Sequence, residues 1–308
     1  MHIPVLLEEV LQALEPVPGS VLIDATVGGG GHAEALLREI LPTGRVLCLD
    51  QDPTAVERAR ERLSHAGDRA AVRHANFEQM AKVAREAGMD TVDGIVMDLG
   101  MSSHQLDDAS RGFSFRHDGP LDMRMNPGDR TTAADLANEL EESELARILR
   151  EYGEERFAKR IARAIVARRT KAPLRTTGEL ASLVARTLPP GRGSIHPATR
   201  TFQAFRIMVN RELDVLQSGL EASISLLRAG GRIAVISFHS LEDRIVKQTF
   251  TTHVGRMASL PQGGQRWEGS MPPAKYVFGR KPVTPGEREQ RDNPRARSAR
   301  LRVVERTG

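Results

Sequence analysis

The sequence predicts an α/β fold, a doubly wound parallel sheet with a helical insertion, and three observations carry that reading. Short apolar runs alternate with helical stretches as far as Asp98. A glycine cluster, Gly28 to Gly31, separates the first apolar run from the helix that follows. The strand pattern then vanishes from about Ser110 to Met208. Strands and helices alternating at this spacing build parallel βαβ units, so the third observation marks an insertion into such a sheet.

Val5 to Glu15 has apolar residues at helical spacing behind Pro4, and Ser20 to Asp24 is the first strand. His32 to Leu41 is helical until Pro42 stops it, and Arg45 to Asp50 is the second strand. Asp52-Pro53 reads as an N-cap followed by proline at the first helical position. A strand over Ala70 to His74, a helix near Glu78 to Ala87 and a strand over Val92 to Asp98 complete the series. In the insertion, Ser143 is expected to cap Glu144 to Glu151, with Gly153 ending that helix. Thr176 and Glu179 fit a capping box before Leu180 to Leu188, and Pro189 to Gly193 reads as a loop. Pro197 opens one long helix towards Leu227, which Gly230-Gly231 stops before the strand Arg232 to Ser237. Ser259 to Arg300, rich in Pro, Gly and Arg, is expected to be irregular, with a last strand over Leu301 to Glu305. The expected domains are therefore 1–109 with 209–308, and a helical insertion over 110–208.

With 308 residues, 40% hydrophobic and 27% charged, the chain has the balance of a globular protein with a real core. No apolar run approaches the ~20 residues of a membrane span, and the N-terminus does not read as a signal peptide. The single cysteine, Cys48, lies in the apolar run Val46 to Leu49, so it reads as a buried residue and an internal disulfide is excluded. A cytoplasmic protein is expected. The formal charge of +4, with arginine far outnumbering lysine, leans towards a polyanionic partner.

The glycine cluster lies in Asp24-Ala25-Thr26-Val27-Gly28-Gly29-Gly30-Gly31-His32, where a backbone must turn sharply and approach a ligand without a Cβ in the way. Asp50, at the end of the second strand, can accept hydrogen bonds from both hydroxyls of a ribose. Together they suit a cofactor carrying adenosine, and they leave NAD and S-adenosylmethionine both open. Phe77, after the third strand, either packs on an adenine or belongs to the core. Asp98 ends the fourth strand and is followed by Ser102 and Ser103. A carboxylate there faces a sulfonium or accepts a hydrogen bond from an amine, which favours methyl transfer over hydride transfer. His239 ends another strand on the same rim and is a proton acceptor, an RNA contact or a capping residue. No cluster of metal ligands stands out, so no metal is expected.

From Arg156 to Arg175 the chain carries basic residues, among them Arg163, Arg168 and Arg169, and no acid, while Phe157, Ile161 and Ile165 keep one helical stripe apolar. That face suits phosphate neutralisation. Arg200 and Arg206, near His196, extend it. From the residues alone, a methyltransferase acting on RNA competes with one acting on protein or a small molecule, and with an RNA-binding module that lacks chemistry.

DATVGGGGH at Asp24 to His32, DLGMSSHQLD at Asp98 to Asp107, RGFSF at Arg111 to Phe115 and DGPLDMRM at Asp118 to Met125 resemble the bacterial 16S rRNA cytosine-N4 methyltransferase family, RsmH or MraW. HPATRTFQAFRIMVNREL from His196, GGRIAVISFHSLEDR from Gly230 and NPRARSARLRVVER from Asn293 extend the resemblance to the end of the chain. Met101 and His104 depart from its pattern, where Val and Pro are more usual, and neither removes a polar group. The resemblance implies a Rossmann-like class I methyltransferase core with an inserted helical domain for substrate recognition. It implies S-adenosylmethionine as cofactor and 16S rRNA, within the small ribosomal subunit, as partner; a homodimer is left open. The cofactor contacts it implies are Gly30, Gly31, His32, Asp50, Phe77, Asp98 and Gln105, and His32 and Gln105 rest on it alone. Asp98 would orient the amine with help from Ser102 or Ser103, and Phe113 and Phe115 are candidates to stack on the base or, alternatively, to anchor their loop to the core.

Overall fold

The computed structural model describes residues 4–189, 196–259 and 265–308. The chain folds as two compact units, one from Met1–Gly100 and Leu213–Gly308, the other from Met101–Glu212. The first begins with helix α1 (Leu7–Leu14), strand β1 (Val21–Asp24), α2 (Gly31–Glu39), β2 (Arg45–Asp50), α3 (Pro53–Leu63), β3 (Ala70–His74), α4 (Met80–Glu86) and β4 (Val92–Asp98). The strands β2, β3 and β4 have the bounds their apolar runs predict. Asp52 caps α3 as expected, its carboxylate accepting the Thr54 N–H at 2.9 Å with Pro53 behind it. The helix expected from Glu78 starts instead as a 3-10 turn, Phe77–Gln79, because Asn76 accepts the Glu78 N–H and fixes the chain one residue earlier.

The second unit carries α5 (Ser103–Asp107), α6 (Ala133–Glu139), α7 (Glu142–Glu151), α8 (Ala158–Arg169), α9 (Thr177–Thr187) and α10 (Thr199–Asn210) around a core of its own that includes Leu145, Ile161, Ile165, Leu180 and Phe205. The capping box of Thr176 and Glu179 forms as expected. Ser143 is not a cap. The helix starts earlier, from Glu141, with Glu142 and Glu144 in a first turn whose exposed N–H groups favour negative charge. Gly153 does not supply a left-handed turn either, since Glu154 does that at φ 48. The glycine is needed because a Cβ would sit 2.6 Å from the Arg200 carbonyl of α10. The DGPLDMRM segment is a stiff loop. Buried Asn210 accepts the Met125 N–H at 2.7 Å and donates to the Met123 carbonyl at 2.8 Å, which holds Met123 at φ 65. The loop expected from Pro189 lies outside the described residues beyond that proline.

The single helix expected from Pro197 is two, α10 and α11 (Glu212–Leu226), because Arg211 adopts a left-handed conformation at φ 51. Then come β5 (Leu227–Ser237), α12 (Ser240–Val254), β6 (Arg256–Ser259), β7 (Gln265–Glu268), β8 (Ala274–Tyr276), α13 (Glu287–Asp292) and β9 (Arg300–Arg306). Gly230-Gly231 does not precede the strand but lies within it, at a register shift opposite Val92 and Gly94, where a Cβ on Gly231 would meet the Val92 carbonyl at 3.0 Å. The tail is also more regular than its composition suggests: β6 and β7 form a separate hairpin, and β8 extends the main sheet.

That sheet has the order β3-β2-β1-β4-β5-β9-β8, with β1 to β5 parallel, β9 antiparallel to β5, and β8 at the edge antiparallel to β9. Alternate residues feed two cores. Leu22, Val46, Cys48 and Val96 pack on one face, and Ile23, Leu47, Leu49 and Met97 on the other. Cys48 is buried, as its surroundings predict. The order reverses between β1 and β4, and there the carboxyl ends of the strands gather the acidic residues of the site.

Candidate active site

β1, β2 and β4 each end in an aspartate, Asp24, Asp50 and Asp98, and the chain turns through the glycine cluster just after the first. Gly28 and Gly30 lie at φ 49 and 79, a region that side chains disfavour, so the loop can fold back only with glycine there. Gly30 is also the N-cap of α2 and, being glycine, gives the first turn of that helix no side-chain cap. The loop is braced from outside by Arg62, which donates to the Gly29 carbonyl at 3.0 Å and pairs with Glu34 at 2.6 Å.

Backbone donors meet the carboxylates of Asp50 and Asp24, but not that of Asp98. Asp50 accepts the Gly28 N–H through Oδ2 and the Asp52 N–H through Oδ1, both at 2.9 Å. Each carboxylate oxygen keeps a further lone pair, which is what two ribose hydroxyls require. Thr26 ties the other two together: its N–H donates to Asp24 Oδ1 at 3.2 Å, and its Oγ1 accepts the Asp98 N–H at 2.7 Å. Among the described residues, the buried oxygens Asp24 Oδ2 and Asp98 Oδ1 have no hydrogen-bond partner. A native fold rarely leaves such atoms orphaned without a ligand to meet them.

Their electrostatics agree. Burial pushes the Asp98 carboxyl up to about 8, and the charges of Asp24 and Glu242 add to it. Burial pushes Asp24 up to about 7 against the Thr26 N–H, with Asp50 adding repulsion. Asp50 rises to about 6, also through burial, restrained by its two backbone donors. A cation brought to these groups would lower all three. The chemistry of the donor set therefore fits a positively charged, adenosine-bearing cofactor.

The remaining candidates divide. His32 is buried and turned inward, its Nε2 3.0 Å from the Val5 carbonyl and its Nδ1 3.8 Å from Asp98 Oδ2. Phe77 is half-buried and lies against Gly219, where a Cβ would come within 2.5 Å of its ring, so it packs on the core while staying partly exposed. His239 caps α12, its Nδ1 accepting the Glu242 N–H at 3.4 Å, with Nε2 buried 3.1 Å from Glu242 Oε1 but out of hydrogen-bond alignment. Of the three readings open to it, capping is the one that has a hydrogen bond here. In the second unit, Ser102 and Gln105 form the capping box of α5: Ser102 Oγ accepts the Gln105 N–H, and Gln105 Oε1 accepts the Ser102 N–H at 2.9 Å. Ser103 is the first residue of that helix.

The basic candidates also divide. Arg163 is 79% exposed, with only a loose pairing to Glu142 at 3.7 Å, and Arg200 is exposed and touches the Glu154 carbonyl. By contrast Arg168 pairs with Glu179, Arg169 donates to the carbonyls of Ala137 and Leu140, and Arg206 forms a two-pronged pair with Glu212 at 2.8 and 2.7 Å. His196 is exposed, and its ring lies 4.5 Å from that of Phe115, which packs edge-on against Phe202. Phe113 is buried beneath Arg111, so it anchors its loop. Sequence reasoning missed Asp24, Thr26 and Arg62. The first two stood inside the quoted motif, where Asp24 read only as the end of a strand.

The chain matches the MraW methylase family over residues 1–307. It is 51% identical over 305 residues to ribosomal RNA small subunit methyltransferase H of Symbiobacterium thermophilum, covering 98% of this chain and 96% of that one. Against the protein of the same name from Heliobacterium modesticaldum it is 50% identical over 307 residues, covering 99% and 98%. Among solved structures, a putative rRNA methylase from Clostridium thermocellum aligns over 99% of both chains at 12% identity, with a TM-score of 0.45.

Proposed function

This chain belongs to the MraW methylase family, and from that premise we propose that it methylates the exocyclic N4 of a cytosine in the decoding region of 16S rRNA, within the small ribosomal subunit. The methyl donor is S-adenosylmethionine, which supplies a methyl group already activated on a sulfonium. The observation that carries the reading is the pair of orphaned buried oxygens, Asp24 Oδ2 and Asp98 Oδ1, beside the glycine turn.

Gly30 and Gly31 let the backbone approach the cofactor, and the start of α2, which has no side-chain cap, suits its carboxylate. Asp50 takes the ribose hydroxyls, and Phe77 offers its partly exposed ring to the adenine. Because the His32 side chain is turned inward, its contact with the cofactor runs through the backbone. Gln105, which the family resemblance assigns to the cofactor, already holds the cap of α5 through its Oε1.

A cytosine amine is a poor nucleophile, because its lone pair is delocalised into the ring. Holding nitrogen, methyl carbon and sulfur in line can supply roughly 7–11 kcal/mol of the barrier. Asp98 Oδ1 accepts one amine N–H and thereby aims the nitrogen lone pair, and it takes the surplus proton once the N–C bond has formed. Ser102 assists through its hydroxyl hydrogen, its oxygen being engaged in the cap. In the second unit the exposed heads of Arg163 and Arg200 meet phosphates, and His196 with Phe115 presents aromatic surface to an unstacked base. Arg168, Arg169 and Arg206 shape that surface through the pairs described above.

Purified protein, tritiated cofactor and small ribosomal subunits, followed by nuclease digestion and nucleoside mass spectrometry, test the proposal. Labelled N4-methylcytidine is the expected product. Label on protein, or on no nucleoside, would overturn it in favour of another substrate.

A further inference from the structure

The residues leading into α1 do more than start a helix. Leu6 is fully buried at φ 52 and ψ 37, a left-handed conformation that a branched side chain adopts only where its surroundings hold it. Glu289 of α13 holds it, its Oε1 accepting the Leu6 N–H at 2.8 Å across a separation of 283 residues. One residue earlier, the Val5 carbonyl meets His32 Nε2 at 3.0 Å. One earlier still, Pro4 lies on Gly31 of the glycine turn, where a Cβ would sit 2.5 Å from Pro4 Cγ. Only glycine at that position admits the segment.

The Val5 carbonyl can only accept, so Nε2 of His32 is the nitrogen that carries the proton. In the neutral ring Nδ1 then bears the lone pair, and Nδ1 is the atom that faces Asp98 Oδ2 at 3.8 Å. The opposite tautomer would set a lone pair against the Val5 oxygen and turn an N–H on Asp98 instead.

We propose that Pro4–Leu6 is a strap over the glycine turn, clipped by Glu289, and that Glu289 is a positioning residue that fixes the His32 tautomer facing Asp98. The inference rests on Asp98 as the group that orients the amine. With no N–H at Nδ1, the histidine donates nothing to Asp98 Oδ2, 3.8 Å away, and the carboxylate keeps its accepting capacity for the nucleophile at Oδ1, the oxygen without a partner among the described residues. A residue of the last short helix thus acts on the end of β4 through three contacts: Leu6 N–H, Val5 carbonyl, His32 ring.

The test is nitrogen NMR of the histidine-labelled, cofactor-free protein at mildly alkaline pH, beside steady-state kinetics. The protein is expected to show His32 in the single Nε2–H tautomer. Glu289→Ala should mix the tautomers and lower kcat about tenfold, the effect of losing one hydrogen bond to a charged group, with KM for RNA little changed. Glu289→Gln keeps an oxygen for the Leu6 N–H and should restore both readouts. Gly31→Ala, which drives a methyl group into Pro4 with Glu289 intact, should mix the tautomers in the same way, and it decides the matter if the first variant does not fold. An unchanged tautomer in Glu289→Ala or Gly31→Ala, or a Gln variant as impaired as Ala, would overturn the proposal. The tautomer is read without cofactor or RNA, so failure of the methyl-transfer reading would leave that readout standing.

Discussion

Two buried corners of the first unit treat their carboxylates in opposite ways. At the end of β1, Asp24 accepts the Thr26 N–H through one oxygen; at the end of β4, the Asp98 carboxylate meets His32 only at 3.8 Å; and among the described residues each has a buried oxygen without a hydrogen-bond partner. Where α12 meets β9, Asp243 accepts from Arg302 at 2.7 and 3.2 Å and from Arg300 at 3.0 Å. Burial raises the first pair above the ordinary 3.8. At the second corner burial also pushes upwards, but the two guanidiniums outweigh it and hold Asp243 below that value. Burial alone therefore does not mark a functional acid. The mark is burial without compensation, since a structural acid has its partner on the chain and a ligand-binding acid awaits one.

Removing one group from each corner gives the largest expected effects. Asp98→Ala should lower kcat about 100-fold or more, the scale of a lost positioned acid–base group, with the folded state intact. Single-turnover assays together with circular dichroism check it. Transfer that continues undiminished while cofactor is still bound would break the comparison at its functional end. Arg302→Ala should act on stability instead, because it strips a charge partner from a buried carboxylate; such losses run to about 3–5 kcal/mol, and Arg300 keeps this one near the lower bound. Urea denaturation reads that change, and kcat of the folded fraction should stay close to that of the unaltered protein.

The pH dependence of stability is a smaller effect and has opposite signs at the two corners. Asp98 rises from 3.8 to about 8 on folding, so between those values the folded chain holds more protons than the unfolded one. Its contribution is therefore lost as pH rises through that window, and Asp24 behaves likewise up to about 7. Asp243, held low, contributes stability that is present above the ordinary carboxylate range and lost as pH falls through its folded value. In the cofactor-free protein, Asp98→Asn should raise the melting temperature by a few degrees at pH 9, since ~1 kcal/mol moves it by ~2–4 °C, and change little at pH 5. A melting temperature unmoved at both pH values would remove the electrostatic half of the contrast.

Much of this was legible in the sequence, for identifiable reasons. The runs Arg45 to Asp50, Ala70 to His74 and Val92 to Asp98 are bounded by turns and buried on both faces, so composition alone delimits the strands. Gly230-Gly231 misled because a glycine pair reads as a stop, whereas here it makes a bulge inside β5. The break at Arg211 has no local signature, since arginine has no preference for left-handed backbone. At the site, Asp50 and Asp98 were visible from their place at strand ends. Asp24 was not, because what distinguishes it is an unmet oxygen, a property of the folded surroundings. Arg206 shows the converse: charge pattern nominated it for RNA, and its partner, Glu212, lies just beyond a turn that the pattern did not reveal.

The claim that Asp24 and Asp98 await a cationic ligand is tested most directly by the protons exchanged when cofactor binds. Titration calorimetry at pH 7.5 in buffers of different ionisation enthalpy should show protons released on binding S-adenosylmethionine, because the sulfonium pulls both raised carboxyls down. The release should be smaller with uncharged-sulfur S-adenosylhomocysteine and should diminish in Asp98→Asn. Equal proton exchange for the two ligands, unaltered by that substitution, would contradict the account.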